Sequence, residues 1–133
     1  MKSERETSSA VLIIDEEPDI LLLLSSILEN NGFRTLLART ATEALDIARR
    51  GHVPIDLILC NAGIARTTSP DLPTAIRQIR PGLRVVWTSA FVDDGVVRIG
   101  VDRMPGSGRV DDGLIAAIHA ALRAPAAGVG AAN

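Results

Sequence analysis

The chain has 133 residues, which is enough for one domain with a sizeable core and too few for two. Hydrophobic residues make up 47%, charged residues 23%, and the net charge is -2. These are globular proportions with no basic footprint for nucleic acid, so we expect no direct nucleic-acid partner. The single cysteine, Cys60, excludes an internal disulfide and a multi-cysteine metal site.

The longest apolar run, residues 20–24, is far shorter than a membrane span, and the N-terminus has no signal-peptide core. We therefore expect a cytoplasmic protein without a membrane segment. The polar residues 1–9 are predicted to be a disordered leader and residues 10–123 the folded domain. Residues 124–133 are rich in small side chains and predict a flexible tail.

The first element of the domain joins a buried strand to an acidic loop. Four aliphatic residues, 11–14, predict a strand that is buried on both faces, and Asp15, Glu16 and Glu17 follow it directly. Pro18 suits the first turn of a helix, and the apolar run after it continues that helix to Gly32. The acids therefore lie at the carboxyl end of the strand, where open α/β sheets bind ligands.

The remaining elements alternate in the same way. Further strands are predicted at residues 33–38, 55–60, 83–88 and, most weakly, 101–105. Residues 62–70 are predicted to form a loop. Helices are predicted from Thr40 or Thr42 to Gly51, from Leu72 to the turn at residues 81–82, over residues 93–99 as a short segment, and from Asp111 or Asp112 through Leu122. Asn61 ends the third strand, and Ser89 lies at the mouth of the fourth.

Five alternations of strand and helix predict an α/β fold, a doubly wound five-stranded parallel sheet with helices on both faces. In the flavodoxin-like order 2-1-3-4-5, strands one and three are neighbours. Asp15, Glu16 and Asn61 should then converge, with Ser89 arriving from the next strand.

These residues resemble the receiver domain of two-component response regulators. The likeness lies in residues 11–20, 56–61, 85–90 and 114–118, and it covers nearly the whole globular part. The resemblance implies a Mg2+ site at the acid pair after strand one and a phosphoryl-accepting Asp at the end of strand three. It also implies a Ser or Thr after strand four and a Lys after strand five that contact the phosphoryl group.

Carried onto this chain, the acid pair falls on Asp15 and Glu16 and the hydroxyl on Ser89, but the acceptor position holds Asn61. The Lys position holds Ser107, and the position of the aromatic switch residue holds Met104. The segment between Ser89 and Gly100 is about one helical turn shorter than the family pattern. The chain therefore resembles a degenerate pseudo-receiver.

Both losses change the chemistry. An amide lacks the negative charge with which a carboxylate attacks phosphorus, so Asn61 should form no stable phosphoryl adduct. Two charges ~4 Å apart interact by about 4 kcal/mol at a dielectric near 20, so the loss of one should weaken Mg2+ held by Asp15, Glu16 and Asn61. Two interpretations of the acid pair stay open: a retained weak metal site, or residues that only cap the first helix.

The leading hypothesis is a signalling module of a two-component phosphorelay that is independent of phosphorylation, is not an enzyme, and acts by contact with proteins. Its partner would be a histidine kinase, a phosphotransfer protein or an output protein. The alternative is a phosphoacceptor that uses an unconventional acid such as Asp15 or Glu16. A flavodoxin-like cofactor binder is the third hypothesis, but the acids stand where such proteins carry a glycine-rich phosphate loop.

The first helix also carries leucines that its inward stripe does not use. With Ile20, Leu23, Leu24 and Ile27 inward, Leu22 falls on the wet face, and Leu21 is singled out with it. Two interpretations stay open, isolated exposed side chains or a surface for a protein partner or a homodimer.

Overall fold

The computed structural model describes residues 9–65, 71–93, 96–102, 109–110 and 113–123. Its strands are β1 Ala10–Ile14, β2 Arg34–Ala38, β3 Leu57–Asn61, β4 Arg84–Asp93, β5 Val96–Asp102 and β6 Arg109–Val110. Its helices are α1 Pro18–Asn30, α2 Ala41–Arg49, α3 Ala62–Ala65, α4 Leu72–Ile79 and α5 Leu114–Arg123. The short helix α3 lies in a stretch for which the sequence predicted a loop.

Four strands form the parallel part of the sheet, in the order β2-β1-β3-β4. This is the α/β arrangement that the sequence predicted for its first four strands. Strand β1 is central, and all five of its residues are buried. A strand covered on both faces needs an aliphatic side chain at every position, and Val11 to Ile14 meet that requirement.

The predicted fifth parallel strand is wrong, and so is the helix predicted over residues 93–99. Strand β4 continues to Asp93 and pairs antiparallel with β5, which pairs antiparallel with β6, so the full order is β2-β1-β3-β4-β5-β6. Only two residues separate the paired Asp93 and Val96. A parallel crossover needs a dozen or more residues, so a separation of two residues permits only antiparallel pairing of β4 with β5.

Helices cover both faces of the sheet, as predicted. Helices α1 and α5 pack on one face against Val11, Ile13, Leu57 and Leu59. Residues of α2, α3 and α4 pack on the other face against Leu12, Ile14, Ile58 and Cys60. Alternate residues of β1 and β3 thus serve opposite cores, because successive strand side chains point to opposite faces.

Helix α1 is rotated relative to the prediction. Leu21 is 3% exposed and belongs to the core, so its assignment to an interaction surface was wrong. Leu23, predicted to face inward, is 38% exposed, while Leu22 is 64% exposed as expected. Ser25 explains the rotation: its hydroxyl is buried and forms a 3.0 Å hydrogen bond with the Thr35 hydroxyl of β2, so the face it shares with Leu21 turns toward the sheet.

Side chains fix the starts of two helices. Thr40, rather than Thr42, caps α2 by accepting a hydrogen bond from the Glu43 N–H at 3.0 Å. Glu43 in turn accepts one from the N–H of Arg39, the residue before the cap, at 2.7 Å, which ties the incoming chain to the start of α2. Asp71 caps α4 by accepting from the Thr74 N–H at 2.9 Å.

Arg80 joins the end of α4 to the end of α2. Its guanidinium donates to the carbonyl oxygens of Ala48, Arg50 and Val53. The last carbonyls of a helix have no partner within the helix, so a cation there satisfies them and favours the negative end of the dipole. Arg80 therefore stabilises the turn that leads into β3.

The replacement Arg80→Ala should lower the free energy of unfolding by about 2 kcal/mol, because it removes charge-assisted hydrogen bonds to three carbonyls. Urea denaturation followed by circular dichroism measures this. Arg49→Ala is the control, since the Arg49–Asp46 pair has side chains 61% and 56% exposed and should contribute less than about 0.5 kcal/mol. Equal losses in the two variants would show that Arg80 is not a structural clamp.

Of the predicted leader, residues 1–9, the structure describes Ser9. Ser9, assigned to the leader, accepts a hydrogen bond from the Arg34 N–H at 2.8 Å, so the ordered backbone includes at least this residue. Residues 1–8 and the predicted tail 124–133 lie outside the described residues. Among the helices that are described, none has the length and apolar character needed to cross a bilayer.

Candidate functional site

The carboxyl ends of three adjacent strands bring the candidate residues together. Ile14 pairs with Cys60, and Asn61 pairs with Thr88. Asp15, the residue after Ile14, therefore falls beside Asn61 at the mouth of the sheet. Of the three residues predicted to converge, Asp15 and Asn61 are brought together by this register, because β1 and β3 are neighbours, whereas Glu16 is exposed.

Asp15 is the buried acid of the site, with 2% of its surface exposed. Its backbone N–H extends the ladder by donating to the Ala38 carbonyl at 3.1 Å. Its Oδ1 accepts from the Glu17 N–H at 2.9 Å, which holds the chain at the start of α1. Its Oδ2 is buried and has no hydrogen-bond partner. A buried carboxylate oxygen without a partner costs stability, so Asp15 is held at this position against a local penalty.

The surroundings of Asp15 favour its neutral form. Burial raises the pKa of Asp15 above its usual value, and the nearby charges of Glu16 and Glu17 act in the same direction. The hydrogen bond from the Glu17 N–H and the adjacent Asn61 side chain lower the pKa and only partly offset this effect. Oδ2 of Asp15 has no hydrogen-bond partner, so no hydrogen bond joins Asn61 to that oxygen.

Asn61 is the cap of the short helix α3. Its Oδ1 accepts hydrogen bonds from the Gly63 N–H at 2.8 Å and from the Ile64 N–H at 3.3 Å. Two N–H donors can only meet the carbonyl oxygen of an amide, so the orientation of the Asn61 side chain is fixed by chemistry. A Cβ on Gly63 would stand 3.0 Å from Oδ1, which favours glycine at this close approach.

The neighbours of Asp15 and Asn61 differ in exposure. Glu16 and Glu17 are exposed, so they can meet ions in solvent but are not held in the pocket.

Cys60 is fully buried, and burial raises the pKa of its thiol to about 12, with the charges of Asp15 and Asp71 adding to the effect. Cys60 therefore behaves as a small buried hydrophobic residue, since a thiol with this pKa is unreactive at neutral pH.

Thr88 is a residue of the site that the sequence analysis did not identify. Ser89, the predicted phosphate contact, is exposed and lies one residue beyond the pair Asn61–Thr88. Thr88 is 2% exposed and lies directly beside Asn61. The register of β3 and β4 identifies it: Cys60 pairs with Trp87, so the next residues, Asn61 and Thr88, also pair. Met104 and Ser107, the other predicted contact positions, lie outside the described residues.

The residues present fit a magnesium ion poorly. Mg2+ requires several oxygen ligands in near-octahedral geometry. Asn61 directs its oxygen at the loop N–H groups, and Glu16 is exposed, so Asp15 Oδ2 is the buried oxygen left for a cation. Within the part of the chain that the structure describes, no group of three His, Cys, Asp or Glu side chains could hold a metal ion.

Asp56, the residue that precedes β3, has a structural role. Asp56 Oδ2 accepts from the Ala10 N–H at 2.8 Å, and the Asp56 N–H donates to the Ala10 carbonyl at the same distance. Both bonds lie where β1 and β3 begin, opposite the mouth. Asp56 thus aligns the two central strands and takes no part in the candidate site.

Comparison with known proteins agrees with this geometry. The family described as response regulator receiver domain matches residues 11–103, which is more than half of the chain. The chain therefore belongs to the response regulator receiver domain family. The match includes β1, β3 and β4 and the mouth that they form. No curated protein matches the sequence.

Solved structures of receiver domains share the fold. A response regulator receiver domain protein from Clostridium thermocellum is 28% identical, with a TM-score of 0.52; the match covers 58% of this chain and 61% of that one. A CheY-like receiver domain protein from Methanospirillum hungatei JF-1 is 23% identical, with a TM-score of 0.56 and coverage of 66% and 69%. The receiver domain of the hybrid histidine kinase CckA is also 23% identical, with a TM-score of 0.52 and coverage of 58% and 71%. The chain thus spans less than two thirds of the Clostridium structure.

Asp15→Asn should abolish the fall in the free energy of unfolding that the wild-type protein shows as pH rises above about 4, since it removes a buried charge and keeps an oxygen for the Glu17 N–H. The pKa of Asp15 is raised in the folded chain, so the wild-type protein loses stability as pH rises through the interval above the unfolded value. The amide has no charge to lose or gain, so the stability of the variant should not change over this interval.

Urea denaturation in a chelator across this pH range tests the expectation. The matched control is Asp19→Asn, which changes an exposed acid on α1. A variant at position 15 whose free energy of unfolding falls with pH as much as that of the wild type would contradict the burial penalty.

Proposed function

We propose that this receiver domain is a signalling module of a two-component pathway that works without aspartyl phosphorylation and acts through contact with other proteins. The observation that carries the proposal is Asn61 at the end of β3, the position that the family resemblance assigns to the phosphoryl acceptor. An amide oxygen is neutral, and its nitrogen lone pair is delocalised, so it is a poor nucleophile toward phosphorus.

The contacts of Asn61 support the same conclusion. The N–H groups of Gly63 and Ile64 point into the mouth region and could otherwise donate to an anion, as loop N–H groups do. Both already donate to Asn61 Oδ1. A phosphoryl group at this position would have to displace that cap. The loop after β3 is thus held by the protein itself, in a state that needs no covalent modification.

The acids nearby offer no better acceptor. Asp15 is 2% exposed, so a phosphoryl donor has little access to its carboxylate. Glu16 is exposed and is free of this restriction, so it is the residue on which the alternative, an unconventional phosphoacceptor, depends. The same reasoning makes the chain a non-enzymatic protein, because a receiver without an acceptor has no phosphoryl group to transfer or hydrolyse.

Partners and cofactors follow from this role. The partner would be a histidine kinase, a phosphotransfer protein or an output protein, and a homodimer is the alternative. Mg2+ is at most a weakly bound cofactor. We expect the protein to work in the cytoplasm, where two-component partners act.

The decisive experiment incubates the wild-type protein with acetyl phosphate and Mg2+ and measures its intact mass. We expect no phosphoryl adduct. Beryllofluoride with Mg2+ should likewise leave the fluorescence of Trp87 unchanged. Trp87 is half-buried and adjoins the site, since it pairs with Cys60 and precedes Thr88.

Asn61→Asp is the matched variant, because it adds the acceptor carboxylate and keeps an oxygen for the Gly63 N–H. It should gain Mg2+ affinity but remain poorly phosphorylated while position 107 is Ser. A saturable Trp87 response in the wild type that Glu16→Gln abolishes would establish the unconventional phosphoacceptor instead.

A further inference from the structure

Strand β2 is the outer strand of the sheet, and within the described residues it pairs with β1 alone. The Arg34 N–H and the Ala38 carbonyl form backbone hydrogen bonds of 2.8 and 3.1 Å with residues that flank β1. Because successive residues of a strand turn their backbone groups to opposite edges, Arg34, Leu36 and Ala38 face β1. Thr35 and Leu37 therefore turn their N–H and carbonyl groups to the free edge.

Two exposed leucines flank this free edge. Leu37 of β2 is 38% exposed, and Leu22 of α1 is 64% exposed. The α1 residues Ser25 and Glu29 both form hydrogen bonds with the Thr35 hydroxyl, at 3.0 and 2.9 Å. Leu22 precedes them by three and seven residues, so the helical period places it on the side of α1 that faces β2. Apolar side chains thus accompany unpaired backbone groups along one edge of the sheet.

The face of β2 that carries α2 has opposite charges at its two ends. Arg34 is exposed and begins the strand. It shares a face with Leu36 and Ala38, which belong to the core beneath α2. At the other end of that face, the exposed Glu43 lies in the first turn of α2. A second β2 strand that ran the opposite way would bring Arg34 and Glu43 of different copies together.

The face that carries α1 has the opposite arrangement. Glu29 is exposed and is bonded to Thr35, near the start of β2. Arg39 is exposed and follows Leu37 by two residues, so it continues this face just beyond the end of the strand. An antiparallel copy would therefore bring Arg39 near Glu29 of the other copy. The charges on both faces are complementary to those of a second copy.

We propose that the free edge of β2 binds the same edge of a second copy of this chain, antiparallel, about a two-fold axis at Leu36. In this register Thr35 of each copy lies opposite Leu37 of the other. Both residues have outward N–H and carbonyl groups, so the two pairs form four backbone hydrogen bonds. Two-fold symmetry repeats every contact, and the result is one sheet continuous across the dimer.

This inference deepens the contact role in the proposed function and rests on it only for that role. The interface does not include the candidate site, since Asn61 and Thr88 lie on β3 and β4, two and three strands away from β2. An unprotected edge strand is a template for pairing with another chain, so a committed partner also limits indiscriminate association.

Sedimentation equilibrium of the full chain tests the interface. We expect a monomer–dimer equilibrium for the wild type. Leu37→Lys should weaken the dimer at least about tenfold, because two cations would lie near the axis. Leu23→Lys is the matched control: Leu23 is also 38% exposed, but it lies about 100° further around α1 than Leu22. Circular dichroism verifies that each variant is folded.

A wild type that stays monomeric at about 1 mM would overturn the proposal, because a dimer with a Kd in that range contributes only about 4 kcal/mol. So would equal effects of Leu37→Lys and Leu23→Lys on a dimer, since the contact would then lie on another surface.

A charge exchange tests the register. Arg34→Glu and Glu43→Arg should each weaken the dimer about tenfold, because like charges then meet on both sides of the axis. The two changes in one chain restore opposite signs and should return most of the lost affinity. Added salt should weaken the wild-type dimer. A double variant as weak as the sum of its single changes would overturn the proposed register.

The two proposals fail separately. An acyl phosphate on the wild-type protein would refute the proposed function and leave a β2 dimer in place. A monomeric wild type without a phosphoryl adduct would refute the inference and leave a module that acts by contact with other proteins.

Discussion

The parallel pairing of β1 with β3 is the constraint on which the site depends. Both strands are buried on two faces, and Asp56 fixes their alignment by exchanging two hydrogen bonds with Ala10 where the strands begin. Five residues further on, that alignment places Asp15 beside Asn61. Shifting the register by one residue would send Val11 and Ile13 into the opposite core, so the packing of both faces prevents it. The same aliphatic residues that stabilise the sheet thus determine which polar groups meet at its mouth.

A buried carboxylate at such a mouth requires a compensating group. In a pocket of this kind a cation is the usual one, because two opposite charges in a region of low dielectric attract strongly. Asn61 carries no net charge, and its oxygen is bound to the Gly63 and Ile64 N–H groups. Oδ2 of Asp15 has no hydrogen-bond partner, and burial raises the pKa of this residue. The described residues thus leave part of the cost of burying Asp15 without compensation.

The sequence predicted the parallel half of the sheet because its signals are local. Continuous aliphatic runs ending in polar residues located β1 and β3, and the family resemblance supplied their order. It failed where two local signals conflicted. The segment between Ser89 and Gly100 is about one helical turn shorter than the family pattern, yet a helix was predicted there, where the structure has antiparallel strands. The rotation of α1 was missed for another reason: Leu21 and Leu23 are chemically identical, and the hydrogen bond between Ser25 and Thr35 that distinguishes their faces joins α1 to β2 and cannot be read from the pattern of α1 alone.

The antiparallel hairpin changes how a signal could leave the site. A receiver that responds to phosphorylation needs an element between its pocket and its surface that can move. A helix packed on a sheet can shift as a unit, because only side-chain contacts hold it to the sheet. Strands β4 and β5 are joined by a continuous ladder of backbone hydrogen bonds from Trp87–Asp102 to Asp93–Val96. Sliding one strand past the other would break that ladder, and each lost backbone bond that is buried costs free energy. The ladder between β4 and β5 therefore resists the kind of sliding that a helix packed on the sheet would permit, and it lies next to the strand end that holds Asn61 and Thr88.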